Sequence, residues 1–101
     1  MHAKFTLDQF SSAVGSTFEC ELPAAGSAIT CELREASPLP IQPGYEPDRQ
    51  PFSLLFLANT ESRLPQQVYT LSHPRFPAPI DLFLVPVGQT DGKLLLEAVF
   101  N

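Results

Sequence analysis

Phe52-Ser53-Leu54-Leu55-Phe56-Leu57 and Ile80-Asp81-Leu82-Phe83-Leu84-Val85 decide the fold of this chain. Each is a short run with apolar residues at both odd and even positions. A strand with one face in water alternates apolar and polar residues; these do not, so each is predicted to be covered on both faces for most of its length. In a chain of 101 residues, that calls for a compact β-fold with a helix, or a partner, over the second face.

The flanking sequence supplies the other elements. Thr6 to Gly15 reads as a short helix, assigned to residues 6–14. Thr6 and Gln9 have capping-box spacing, Asp8 sits in the first turn where the helix dipole favours a negative charge, and Gly15 supplies a left-handed stop. Leu7, Phe10 and Val14 form one narrow apolar stripe. A helix this short is not stable alone, so the stripe must dock on a sheet.

Thr17–Leu22 and Ile29–Arg34 alternate cleanly and are joined by the loop Pro23–Ser27, giving a hairpin over residues 17–36 with one wet face. Centring that loop on Ala25 and Gly26 pairs Phe18 with Leu33, Cys20 with Cys31 and Leu22 with Ile29. A slip of one residue would set apolar groups opposite charges.

Prolines 38, 40, 43, 47 and 51 interrupt residues 38–51 and allow neither helix nor central strand. This is an extended loop, with Tyr45 its single aromatic residue. Four strand candidates fill residues 52–101: the two apolar runs, Gln67–His73, and Lys93–Phe100. The last is joined to the second run by Gly88-Gln89-Thr90-Asp91-Gly92, a hairpin connection ending in Asp-Gly. The predicted fold is a single domain, mainly β with one short N-terminal helix (α+β): a small antiparallel six-stranded barrel or a strongly curled sheet.

Composition excludes several functions. Net charge is −5 and the six basic residues are dispersed, which leaves no basic stripe for nucleic acid and no attraction to an anionic membrane. No apolar run approaches the ~20 residues of a membrane span, and Met1-His2-Ala3-Lys4-Phe5 has no apolar leader core. The cytoplasm is therefore the expected compartment. The charged fraction is 17%, below the usual ~25%, so the expectation is a protein partner or a homo-oligomer. The alternative is a monomer with an uncharged polar surface.

Reactive constellations are sparse. Cys20 and Cys31 are either a cross-strand disulfide or, as expected in a reducing compartment, two small buried side chains. Two thiolates need two further ligands to hold a metal, and neither His2 nor His73 is placed to help; no metal and no cofactor is expected. His73, before Pro74, is expected to bond to backbone at a strand end. A barrel mouth lined by His73, Tyr69 and Asp81 is the one arrangement that would make an enzyme or a small-ligand site. Glu19, Glu21 and Glu32 share the outer face of the hairpin with Arg34, as a solvated face or as paired carboxylates. Asp81 is read as an inward-pointing charge that blocks edge pairing. The proline-rich loop, with P-x-x-P spacing at Pro40 and Pro43, wraps the barrel or serves assembly.

The second half resembles a bacterial family of short domains, domain of unknown function 6916. The resemblance rests on Pro51-Phe52-Ser53-Leu54-Leu55-Phe56, on Leu64-Pro65-Gln66-Gln67-Val68-Tyr69 with Leu71 and His73-Pro74, on Leu82-Phe83-Leu84-Val85-Pro86-Val87-Gly88, and on Glu97-Ala98-Val99-Phe100-Asn101. The front half fits as well. The resemblance implies no catalytic residue. Through members encoded beside phage-tail-collar-like proteins, it implies an accessory role in phage-tail-like or fibre assembly.

The residues themselves point to a non-enzymatic interaction or structural module, self-association included. Its candidate surface is Tyr45, Phe52, Leu55, Leu57, Phe83 and Val85.

Overall fold

The structure is a computed structural model that describes residues 5–22, 26–47 and 49–101. Most of the loop expected at Pro23–Ser27, and the N-terminal His2, lie outside the described residues. The elements are helix α1 (Leu7–Ser11) and strands β1 (Thr17–Leu22), β2 (Ser27–Pro38), β3 (Phe52–Ala58), β4 (Gln67–Ser72), β5 (Ile80–Thr90) and β6 (Lys93–Phe100). The six strands close into a barrel in the order β1-β2-β3-β6-β5-β4, and every neighbouring pair is antiparallel. Of the two predicted architectures, the closed barrel is the one formed.

Closure gives each strand one dry face. Phe52, Leu54 and Phe56 of β3 point inward, as do Ile80, Leu82 and Leu84 of β5, with Phe18, Cys20, Cys31, Leu33, Tyr69, Leu71 and Leu96 filling the same interior. A barrel this narrow is filled by its own side chains.

Two bulges maintain this parity along the longest strands. Between Leu33 and Glu35 the register of β2 on β3 shifts by one residue. Arg34 and Glu35 are consequently both exposed, whereas strict alternation would drive Glu35 into the core. In β5 the shift between Pro86 and Gly88 throws Val87 outward in the same way.

The first hairpin forms in a different register from the one expected. Phe18 pairs with Cys31, Cys20 with Ile29 and Leu22 with Ser27, two residues away from the predicted pairing. The apolar pattern has period two, so it rejects a one-residue slip but is blind to a slip of two. The cysteines are therefore diagonal rather than directly opposed, and both are free thiols. The last hairpin is tighter than expected. Asp91 (φ 52°) and Gly92 (φ 74°) alone form its turn, with Thr90 paired to Lys93. Two successive positive φ values suit the twist of a two-residue hairpin, which is why Asp-Gly stands there.

The predicted helix shortens to Leu7–Ser11, and its stripe changes. Thr6 N–H donates to Gln9 Oε1 at 2.8 Å, as the capping spacing implied. Beyond Ser11, however, Ala13 N–H bonds to Phe10 O and Val14 N–H to Ser11 O, both three residues back. Three residues per turn stacks position i+3 on position i. Ala13 therefore shares the buried face with Phe10, while Val14 is left 44% exposed.

α1 plugs one end of the barrel and leaves its flank uncovered. The Phe10 ring lies 5.9 Å from Phe52, 5.7 Å from Phe100 and 5.2 Å from Phe76, and Phe5 closes over it at 5.8 Å. Phe52 and Phe100, directly paired across β3 and β6, stack at 4.4 Å. The proline-rich loop leaves the barrel at this same end, one residue later than expected, because Pro38 still pairs with Phe52 at the end of β2. Its neck is closed by Leu39 N–H donating to Pro51 O, and by Gln50 Nε2 donating to both Leu39 O and Pro51 O. Arg49 then ties loop to plug: Nη1 donates to Phe5 O at 2.8 Å, and the guanidinium lies 5.4 Å from the Phe100 ring centre. Phe10→Ala is expected to lower unfolding free energy by ~3–5 kcal/mol in urea titrations, because it empties the centre of the aromatic plug.

Candidate functional site

The residues of the hypothetical barrel-mouth site do not converge. Tyr69 lies inside the barrel, and its hydroxyl donates to Pro65 O at 2.6 Å. Asp81 is on the outside, where it accepts a hydrogen bond from Thr70 Oγ1 at 2.7 Å, its direct neighbour across β4 and β5. Tyr69 and Asp81 thus occupy opposite faces of one sheet. The inward-pointing reading of Asp81 is corrected: with Ile80 and Leu82 inside, period two puts Asp81 in water.

His73 follows β4 directly and makes a polar side-chain constellation that links distant parts of the chain. Its Nε2 lies 2.8 Å from Ser16 Oγ, and its Nδ1 is 3.0 Å from the backbone nitrogen of Arg75. A backbone N–H can only donate, so Nδ1 is the acceptor and carries no proton. The neutral ring then holds its proton on Nε2 and donates it to Ser16 Oγ, whose hydroxyl donates onward to Ala13 O. A serine nucleophile needs the reverse polarity: an imidazole nitrogen accepting from the hydroxyl, and a carboxylate behind the other nitrogen. Ser16 and His73 are therefore a clasp rather than a catalytic pair. Ser72, the neighbour visible in the sequence, takes no part in it.

The clasp bridges the turn after α1 to the loop after β4. It stands beside the thinnest ladder of the barrel, where β1 meets β4 through only Glu19–Ser72 and Cys20–Leu71. Phe18 reinforces it, with its ring 4.3 Å from the imidazole, and Arg75 Nη1 adds a bond to Ser12 Oγ at 3.0 Å. Burial, and to a lesser degree the Arg75 charge, lower the His73 pKa from its ordinary value. Nothing in sequence spacing marked Ser16. Its role comes from Gly15 (φ 90°), whose left-handed turn carries the chain from helix to β1.

Outside the clasp runs an open groove of about 460 Å³, walled by Phe76 and Pro77 and floored by Thr17, Glu19 and Thr30. With both His73 nitrogens engaged, it offers one carboxylate and several hydroxyls. Among the described residues, no group of three or more His, Cys, Asp or Glu side chains is placed to hold a metal ion. The thiols lie inside the barrel with no exposure. The hydrogen bond with Cys20, and after it burial, push the Cys31 thiol well up. No helix among the described residues is long and apolar enough to cross a membrane.

The proposed surface residues divide. Phe52 is fully buried in the aromatic plug and Leu57 is 6% exposed, so neither belongs to a free surface. Phe52 carries the inward parity of β3. Leu57 points outward but is hemmed in by its neighbours Glu32 on β2 and Leu95 on β6. Leu55 and Val85 are half-buried on the outer face, Phe83 is 52% exposed there, and Tyr45 is exposed on the proline-rich loop.

What these features define is a small, closed antiparallel β-barrel plugged by a short helix, without an assembled catalytic constellation among the described residues. The chain belongs to the family described as Domain of unknown function (DUF6916), whose model matches residues 5–100. No curated protein matches it, and no solved structure does.

The His73 clasp makes stability depend on pH. The folded-state pKa lies below the unfolded one, so as pH falls the unfolded chain takes the proton first. The stabilisation is complete above the ordinary histidine pKa of about 6.5 and is lost as pH falls through it toward the folded value. Urea unfolding from pH 7.5 down to about 5.5 is expected to show falling stability in the wild type. His73→Gln should flatten that slope and cost roughly 1 kcal/mol at neutral pH. A second expectation concerns the thiols: neither Cys20 nor Cys31 should react with an aromatic disulfide reagent until denaturant unfolds the barrel.

Proposed function

We propose that this domain is a non-enzymatic protein-interaction module that binds through the outside of β4, β5, β6 and β3. The observation that carries this reading is the uneven exterior of the barrel. On β1 and β2 the outward side chains include Thr17, Glu19, Glu21, Thr30, Glu32, Arg34 and Glu35, a hydrated and mainly acidic face on which Arg34 pairs with Glu32 at 3.2 Å. On the opposite side Val68 (57% exposed) and Phe83 are direct cross-strand neighbours, followed along β5 by Val85 and Val87, with Val99 exposed on β6 and Leu55 half-buried on β3.

A closed barrel has no second layer to cover outward apolar side chains, and α1 is spent on plugging one end. Contiguous apolar surface of this kind marks a place where another protein binds. The same fact accounts for the apolar runs at 52–57 and 80–85. Their inner halves build the core, and their outer halves are left for a partner.

A non-catalytic reading is supported by the direction of the Ser16–His73 hydrogen bond and by the separation of Tyr69 from Asp81. An accessory role in phage-tail-like or fibre assembly is one form this interaction could take, with a tail or fibre subunit as the partner. In the cytoplasm the free thiols would stay reduced.

Phe83→Asp and Val85→Asp test the surface, because both side chains point away from the core and their loss should change stability by no more than ~0.5 kcal/mol. A stoichiometric partner, whether this chain or another, should be retained by the wild-type domain and lost with both variants while their melting curves stay unchanged. If the wild type is monomeric to ~100 μM, where contacts worth ~5.5 kcal/mol would half-associate, and retains nothing that either substitution releases, the reading is wrong.

A further inference from the structure

The outward row of β6 reads Lys93, Leu95, Glu97, Val99. Beside it on β3, the half-buried Leu55 lies opposite Glu97, while Leu57, opposite Leu95, is sheltered and adds no free surface. On β5, Gly88 is opposite Leu95, Val85 is opposite Glu97, and the bulged Val87 sits between these two levels. Along this outward row the charged side chains are Lys93 and Glu97, while Arg63 lines the groove that includes Gly88 and Glu61 lies against Gly92 at the edge of the patch. Lys93 and Glu97 have opposite sign and stand two residues to either side of Leu95.

From this symmetry we propose that the partner of this surface is a second copy of the chain, docked face to face about a two-fold axis that crosses β6 at Leu95. The inference rests on the interaction-module reading and names the occupant. A two-fold axis lying in the interface, perpendicular to β6, reverses the strand direction and sets each residue of β6 against its mirror position about Leu95. Leu95 then meets Leu95 of the other copy, Lys93 meets Glu97, and Glu97 meets Lys93. Such an interface is isologous: one patch is its own complement. Face-to-face sheets pack with strands within about 30° of one another, and a lysine two residues from the axis reaches its carboxylate across that angle.

The neighbouring residues fit the same axis. Gly88 has no side chain, and a Cβ built there would sit 3.7 Å from Leu95 Cδ1, so the half-buried Leu95 leans over the space that a side chain at 88 would fill. Val87, 51% exposed at the same level, gains its counterpart across the axis. β1 lies on the far side of each barrel in the strand order, and Glu32 of β2, at the level of Leu95 but beyond Leu57, is paired with Arg34 at 3.2 Å. A second copy makes use of this matching of one cation and one anion about a central leucine, which a foreign partner would not.

Charge reversal separates this arrangement from any other, by sedimentation of the full chain over a concentration series. The wild type is expected to show a concentration-dependent monomer–dimer equilibrium. Lys93→Glu and Glu97→Lys should each weaken it roughly tenfold or more, since each sets like charges together twice per dimer. Mixing the two single variants should restore dimer as a mixed species, and the double variant Lys93→Glu/Glu97→Lys should dimerise alone. Leu95→Asp gives an independent loss at the axis, and circular dichroism identifies any variant that has not folded. A wild type monomeric at every concentration overturns the inference, as does a dimer indifferent to both single reversals or a mixture that fails to associate. A monomeric wild type that still retains another protein in a Val85-dependent manner overturns the second copy alone. The interaction-module reading would then stand.

Discussion

Closure of the sheet between β1 and β4 is the constraint on which the rest of the molecule depends. That ladder is two residue pairs long, whereas β3 and β6 pair along seven positions. Left open, the sheet would present two long edges to other chains. The seam is held instead by groups gathered around it: the Phe18 ring against the His73 imidazole, the Ser16–His73 hydrogen bond, and the Arg75–Ser12 bond beyond. Each is modest in isolation. Together they tie the helix turn, β1 and the loop after β4 into one corner, and the most titratable bond of that corner is the one at His73.

Closure also decides what the apolar sequence is for. In an open sheet with a helix on one face, Leu55, Leu57, Phe83 and Val85 would be a second core. In a barrel there is one inside, already filled by Phe52, Leu54, Phe56, Ile80, Leu82 and Leu84. The remaining apolar side chains of the same strands face outward, and only close neighbours, as at Leu57, shelter them. An expectation of two-sided burial thus becomes a surface that is mainly acidic on β1 and β2 and richer in apolar side chains on β3 to β6. The low charge content of the chain is concentrated accordingly.

The elements were largely legible because period two and turn chemistry are local. The six strands, the Asp-Gly turn and the Thr6–Gln9 cap stand where residue type places them, whereas the helix stops at Ser11, short of the stop expected at Gly15. Errors arose where the local rule was degenerate. The hairpin formed two residues out of the expected register because a two-residue slip changes no face. Val14 and Ala13 exchanged places because the helix tightened after Ser11. The clasp was half legible: His73 was expected to bond to backbone, and it does, through Arg75 N–H. Its bond to Ser16, 57 residues away, and the grip of Arg49 on Phe5 had no signature, since each joins segments that only the closed barrel brings together.

The amino-acid sequence by itself determined that the chain would be β-rich, that β3 and β5 would carry apolar residues on both faces, and that one short helix would need a seat. These follow from hydrophobic period and from the dihedral preferences of Gly, Pro and Asp, which act over a few residues. Only the tertiary structure decided that the sheet closes, that the helix stops its end, and that His73 donates to Ser16. It also turned Lys93 and Glu97 to the outside of the barrel, on either side of a half-buried Leu95. Those outcomes depend on which strand edges meet, and the meeting of edges is set by the competition of whole ladders and plugs for the same interior, which no local pattern encodes.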